Sequence, residues 1–323
     1  ILAGKDPILS TSAGGILQLP GTLQAFSAVK GGSLRIQAPE IVLTGKTGDA
    51  PVLSQGSILS LSPDFFQRGG FTEYSLIASG LNDSSNPSID VTPGTIINPI
   101  AQTLVASKSN SQLGRIVMDP ILLPIGVRSP ASLNLDARGY NDDVTQEIVE
   151  SIGSISLGTG AVIHTDPLGK VSLRSQTLSI LGTIDAPAGK ITLQADSRYP
   201  LSQAAAAVNS NALVNLYLAP SAKLLAQGTT VLIPDPFDRR TGQVLSGGSI
   251  SLKGNIVAEQ GAILDVSGAS DQLDIHPSRL GETILPMTDA ELTSQPWGQQ
   301  AIRTELDSNG GTIILQGSQL LLS

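Results

Sequence analysis

GSISLGTGAVIHTDPLGKVSLRSQTLSILGTIDAPAGKITLQADS, residues 153–197, is the stretch whose reading decides the fold. A short unit, Gly-x-Ile/Val-x-Leu, occurs in it three times, opening at Gly153, Gly169 and Gly189, which are 16 and 20 residues apart. Each glycine is followed by an apolar pair two residues apart: Ile155/Leu157, Val171/Leu173 or Ile191/Leu193. In a strand such pairs point to one face, and Ser156, Ser172 and Thr192 point to the other. A second alternating run, Leu178/Ile180, and a short third one, Thr183-Ile184-Asp185, come before the next glycine. Two or three short strands restarted by a glycine about every 20 residues describe a coil that stacks on copies of itself.

Outward from this block the unit returns at Gly32-Ser33-Leu34-Arg35-Ile36, with Ile41-Val42-Leu43 as its second strand. Gly56-Ser57-Ile58-Leu59-Ser60-Leu61 is read as the opening of the next coil, and Gly15-Ile16-Leu17-Gln18-Leu19 as a weak copy. On the other side lie Gly248-Ser249-Ile250-Ser251-Leu252 and Gly311-Thr312-Ile313-Ile314-Leu315. The period is lost over about 62–148, 198–212 and 270–309, which are read as irregular excursions. Short helices are expected near 136–152 and 204–208, and after the capping-box pattern Thr288-x-x-Glu291. The unit resumes after each excursion, so the chain, 1–323, reads as one domain and as a segment of a longer chain.

Each strand is too short to be stable alone. Stacked about 4.8 Å apart, the strands pair in parallel and their apolar residues form inward columns. Parallel pairing usually needs helical crossovers, yet no helix-period segment recurs. A coiled parallel β-helix satisfies the same requirement. The rival antiparallel sandwich should show hairpin dipeptides, and Asn309-Gly310 is the only Asn-Gly.

Composition agrees. Aromatics make up 3% of the 323 residues, too few for an ordinary globular core of this size but enough for a thin aliphatic one. The net charge of −8 and the absence of a basic stripe argue against nucleic acid as a partner. No apolar run is long enough to span a bilayer as a helix. With no cysteine there are no disulfides or thiolate metal sites.

The units GGSISLKGNIVAEQGAILDVSG (247–268), GKVSLRSQTLSILGTIDAPAGKITLQA (169–195) and GGTIILQGSQLLL (310–322) resemble the repeats of filamentous-haemagglutinin-like exoproteins, the large secreted partners of bacterial two-partner secretion systems. The resemblance covers about half the chain and none of the excursions. It implies an all-β, right-handed parallel β-helix, or β-solenoid. It also implies export through an outer-membrane transporter barrel, residence outside or on the outer surface of a Gram-negative bacterium, and a role in adhesion or surface filaments. The Asn-Pro-Asn-type signatures of that family's secretion domain are absent, so the expected part is a shaft segment.

The chemistry-bearing residues are few. His164 and His276 are the only histidines and have no i+4 partner, so a metal site is not expected of them. Gly45-Lys46-Thr47 resembles the end of a phosphate loop, but Glu40 stands where an earlier glycine is required. Asp136, Asp142, Asp143 and Glu147 are the best acidic cluster; a Ca²⁺ site or a carboxylate pair can be built from such residues, and a solvated loop is the commoner outcome. Asp235, Asp238, Arg239 and Arg240 could line a sugar groove, with loop ion pairs as the default. Trp297 suits a glycan, a partner or a cover for the apolar flank. No catalytic, cofactor or metal residue is expected. Asp142, Asp143, Arg239, Arg240 and Trp297 are the candidate contact residues. The leading expectation is a non-enzymatic filament that meets host, neighbouring-cell or matrix surfaces and can assemble with itself. The alternative is a carbohydrate-active β-helix, a polysaccharide lyase or hydrolase.

Overall fold

Short strands with one apolar face must find their partners from far along the chain, and here they find them in parallel stacks. The computed structural model describes residues 22–45, 52–54, 58–78, 87–107, 117–137, 153–196, 215–275, 301–317 and 320–322. Among these the fold is all-β, with long parallel sheets and one 3₁₀ turn, Pro63–Gln67. A seven-stranded sheet runs through Ser33–Ala38, Glu73–Ala78, Ser132–Ala137, Lys170–Ser175, Lys190–Ala195, Ser249–Lys253 and Thr312–Gln316. A nine-stranded sheet contains Glu40–Leu43, Ile89–Val91, Ser154–Leu157, Thr177–Ile180, Asn215–Leu218, Asn255–Ala258 and Leu320–Leu322 in that order, with Ile58–Leu61 and Val52–Ser54 beyond Glu40–Leu43. A five-stranded sheet holds Ile96–Ile97, Val162–His164, Thr183–Asp185, Lys223–Leu225 and Ile263–Asp265.

From Glu73 onward the chain visits these first, second and third sheets in turn, an order compatible with a β-solenoid. The register aligns like with like. Tyr74, Leu133, Val171, Ile191 and Ile250 form one buried column of the first sheet, and Leu76, Leu135, Leu173, Leu193 and Leu252 another. Ile41, Ile89, Ile155, Leu178, Leu216 and Ile256 do the same in the second sheet, and Ile97, Ile163, Ile184 and Leu224 in the third. Each fully buried aliphatic contributes about 1.5–3 kcal/mol against its exposed state, and a one-residue slip would turn a whole strand inside out. Ser75, Asn134, Ser172, Thr192 and Ser251 form the outward row of the first sheet.

Several expectations need correction. The three glycine units of 153–197 are not equivalent. Gly169 and Gly189 open first-sheet strands, whereas Gly153 opens Ser154–Leu157, whose Ile155 faces Leu178 in the second sheet. The shorter first spacing reflects this change of sheet. Ile58–Leu61 does not open a new coil; it lies parallel to Glu40–Leu43 inside the second sheet, with Ile41 opposite Leu59.

Nor is the period lost throughout 62–148, because four strands in that range belong to the three sheets. Aromatic residues had hidden it. The 3₁₀ turn drops Phe66 into the core, where its ring lies 5.2 Å from that of Tyr74, and both side chains are buried. The Tyr74 hydroxyl donates to the Phe66 carbonyl at 3.0 Å, and burial raises its pKa. Of the described residues in that range, those from about 98 to 131 make the true excursion.

The described excursions are antiparallel hairpins, and the sequence reading had no place for them. Thr103–Ser107 pairs with Val117–Ile121, Thr229–Ile233 with Thr241–Leu245, and Ser270–Ile275 with Ile302–Asp307. Their loops are too long for the two-residue turns that Asn-Gly marks. The second hairpin also replaces the simple strand and loop read at 231–240. The expected helix near 136–152 begins on strand residues, Asp136 and Ala137, and its remainder lies outside the described residues. So do the helices expected near 204–208 and 288–291, and the excursion at 198–212.

Candidate functional site

The three hairpins share one place of departure. Each leaves after a third-sheet strand and returns to a first-sheet strand. Where no hairpin intervenes, the same corner is closed by a tight turn, Thr165–Gly169 or Ala186–Gly189. One corner of the stack therefore carries the described protrusions. The outward rows of the regular block beside it mix Ser172, Thr192 and Thr183 with Lys170, Arg174, Lys190, Gln194, His164 and Asp185.

Arg239 and Arg240 lie in the loop of the second hairpin, and both are engaged. Arg239 donates through Nε and Nη2 to Asp235 at 3.0 and 2.7 Å, and its guanidinium sits 5.1 Å from the Phe237 ring centre. The Arg239 hydrogen bonds, helped by the Phe237 and Arg239 backbone N–H groups, bring the Asp235 pKa down to about 2. Arg240 reaches the third hairpin: its Nη2 donates to Asp271 at 2.6 Å, its Nε to the Gln272 carbonyl at 3.0 Å and its backbone N–H to Asp274 at 2.7 Å. Arg303 pairs with Asp274 from the other strand at 3.0 Å and lowers its pKa. Arg240 thus lashes the two hairpins together, whereas Arg239–Asp235 is a pair within one loop, the default that the spacing suggested. Asp142, Asp143, Glu147, His276, Trp297, Lys46 and Thr47 lie outside the described residues.

Asp136 is not in a loop. It is buried in Ser132–Ala137 opposite Arg174, which is itself paired with Asp196 at 2.7 Å. His164 and Asp185 are register partners on the third sheet, with Nδ1 2.9 Å from the Asp185 carboxylate. That hydrogen bond raises the His164 pKa from its ordinary 6.5, with Asp166 adding a smaller Coulombic pull. The pair's contribution is thus complete below about pH 6.5 and fades as pH rises through the raised value. Because both side chains are partly exposed, at most about 1 kcal/mol is involved. In a proton NMR titration Asp185→Asn should return the His164 midpoint toward 6.5; an unmoved midpoint would refute the assignment. Among the described residues no three His, Asp or Glu gather to hold a metal.

Sequence reading missed two grooves. One, of about 470 Å³, lies against the outer face of the first sheet and is lined by Lys30, Glu73, Ser75, Asn134, Lys170 and Ser172, among others. Glu73 is its one carboxylate among the described lining residues. The other, of about 320 Å³, lies at the corner between loop 125–130, the Thr165–Gly169 turn and the second hairpin. Ile125, Val127, Leu168 and Ile233 line it, and a buried pair, Arg128–Asp166, is set in its wall. Leu168 belongs to both grooves. The Pro167-Leu168-Gly169 and Pro187-Ala188-Gly189 repeat was the available signal for the turn; the partners of Arg128 and Ile233 left no local trace.

No family model, no curated protein and no solved structure matches the chain.

Proposed function

We propose that the chain is a segment of a right-handed parallel β-helix in a secreted, filamentous-haemagglutinin-like exoprotein of a Gram-negative bacterium. In this reading it is a non-enzymatic rod that presents hairpins for contact with a cell, matrix or glycan surface, after export through an outer-membrane barrel. The observation that carries the reading is the segregation of surface. The hairpins at 103–121, 229–245 and 270–307 all leave at one corner, and the second-sheet row of the regular block, Ser154, Ser156, Thr177 and Ser179, is small and polar, which lets circuit follow circuit. Such a stack is stiff because every circuit is hydrogen-bonded to the next. Electron microscopy of the native particle, with the mass of the full chain, tests it. A long rod from a chain much larger than 33.3 kDa is expected; a compact particle of this mass with closed ends would sink the filament.

The first-sheet groove favours a second reading, a carbohydrate-active β-helix, because Lys30, Lys170 and Glu73 converge there. Hydrolysis ordinarily needs a pair of carboxylates, and the described lining supplies one. Release of reducing ends or unsaturated products from acidic polysaccharides, abolished by Glu73→Gln, would establish the enzyme; no release would leave the groove a contact surface.

A further inference from the structure

We propose that Asn309-Gly310 is a site of self-modification, at which the asparagine converts to aspartate and isoaspartate without an enzyme. The pair is the only Asn-Gly of the chain. It turns no hairpin: it lies in the short link between Ile302–Asp307 and Thr312–Gln316. Both residues are exposed. The reaction needs the main-chain nitrogen after the asparagine to reach the side-chain carbonyl carbon, and a glycine, with no Cβ, leaves that nitrogen uncrowded.

The fold leaves both reacting groups free. Among the described residues neither the Gly310 N–H nor the Asn309 side-chain amide has a hydrogen-bond partner. The link around them is held. The Ser308 N–H donates to the Ala269 carbonyl at 2.8 Å, the Gly247 N–H to the Asn309 carbonyl at 2.9 Å and the Gly311 N–H to the Val266 carbonyl at 2.6 Å. The other described asparagines are protected. Asn134, Asn215 and Asn255 lie in strands paired on both sides, and the side chains of Leu135, Leu216 and Ile256 crowd the nitrogens that follow them. Asn98 precedes Pro99, which has no N–H to lose.

The step balances with water as the only co-reactant. The Gly310 nitrogen forms a bond to Asn309 Cγ, and the side-chain amide nitrogen leaves as ammonia, taking the Gly310 proton with it. The product is a succinimide ring, which water opens at either carbonyl. One opening gives aspartate. The other routes the main chain through Cγ and gives isoaspartate, longer by one backbone carbon. In isoaspartate the carbonyl that accepts the Gly247 N–H becomes a free carboxylate, and the added carbon falls between the Ser308 and Gly311 anchors. The next residue, Thr312, must donate to the Gly248 carbonyl at 3.0 Å to begin its strand, so the lengthened link loosens Thr312–Gln316 from the stack.

Peptide mapping by mass spectrometry tests this on the folded 323-residue chain, aged at neutral pH in heavy-oxygen water so that each ring opening leaves a label. Labelled aspartate and isoaspartate are expected at position 309, at a rate within about tenfold of that of the free peptide Ser-Asn-Gly-Gly, while Asn215 and Asn255 stay intact. Gly310→Ala should slow the conversion about tenfold or more. Its Cβ would meet nothing nearer than the Val266 carbonyl at 3.6 Å, and Gly310 does not have a positive φ, so this variant should melt with the parent. Amide exchange in Thr312–Gln316 should quicken in the aged chain and not in Asn309→Asp, which carries the new charge on an unlengthened backbone. An Asn309 that survives in the folded chain while the denatured chain converts, or conversion as fast at Asn215 and Asn255, would overturn the site; unchanged exchange in the isoaspartyl chain would overturn the loosening.

Discussion

Gly248→Ala is expected to cost about 3–5 kcal/mol, or to abolish folding, although it adds one methyl group. Gly169, Gly189, Gly248 and Gly311 stand one above another where the chain enters the first sheet. The carbonyl of each lower glycine accepts the N–H of the residue after the next: Lys190 to Gly169 at 3.0 Å, Ser249 to Gly189 at 2.9 Å and Thr312 to Gly248 at 3.0 Å. A Cβ on Gly248 would point into the Gly189 carbonyl, well inside van der Waals contact. The obstacle is backbone, so no rotamer change relieves it. Relief requires the circuits to part at the corner, which breaks the ladder on both sides. A denaturant titration should show the midpoint collapsing in Gly248→Ala, while Ser249→Ala stays within about 0.5 kcal/mol of the parent, as surface changes do. Equal midpoints would mean that the column can open at little cost.

The second large effect is expected at Arg128–Asp166. Both side chains are nearly buried, 9% and 6% exposed. Arg128 grips the carboxylate with Nε at 2.6 Å and Nη2 at 2.5 Å, and Nη1 donates to the Leu123 carbonyl at 3.2 Å. The pair fastens the loop after the first hairpin to the Thr165–Gly169 turn. Removing one partner strands the other charge, which typically costs about 3–5 kcal/mol. Asp166→Ala and Arg128→Met should therefore each be strongly destabilising, whereas the double variant should recover most of the loss, since a buried pair often does no better than apolar residues of similar volume. Additive losses in the cycle would show that the two residues act separately. The Leu123 contact predicts that Arg128→Met also loosens loop 122–131, readable as faster amide exchange there.

The sequence by itself determined the strand. Glycine followed by apolar residues two apart can bury one face only, and at four to six residues it must stack to be stable. That logic reached the parallel pairing of Lys170–Ser175, Lys190–Ala195, Ser249–Lys253 and Thr312–Gln316 without error. It also set the inward columns, because alternation fixes which side chains share a face. Where it failed, the missing information was not local. Gly153 and Gly169 look alike in sequence and enter different sheets, since a glycine marks the start of a strand and not the wall it joins. Phe66 and Tyr74 looked like interruptions, because an aliphatic pattern has no term for two rings that fill the core together.

The candidate surface was legible only in fragments. Arg239 and Arg240 were seen as loop charges, and the tertiary structure decided that Arg239 braces its own loop through Asp235 while Arg240 ties hairpin to hairpin. Leu168 and Arg128 carried no signal: one is an ordinary residue after a proline, and the other pairs with a carboxylate 38 positions away. The gathering of hairpins at one corner is likewise a property of the stack. The residues between a third-sheet strand and the next first-sheet strand occupy the same corner in every circuit, so insertions far apart in sequence become neighbours. Periodicity determined the walls; the shared corner, a consequence of stacking alone, decided what lies beside what.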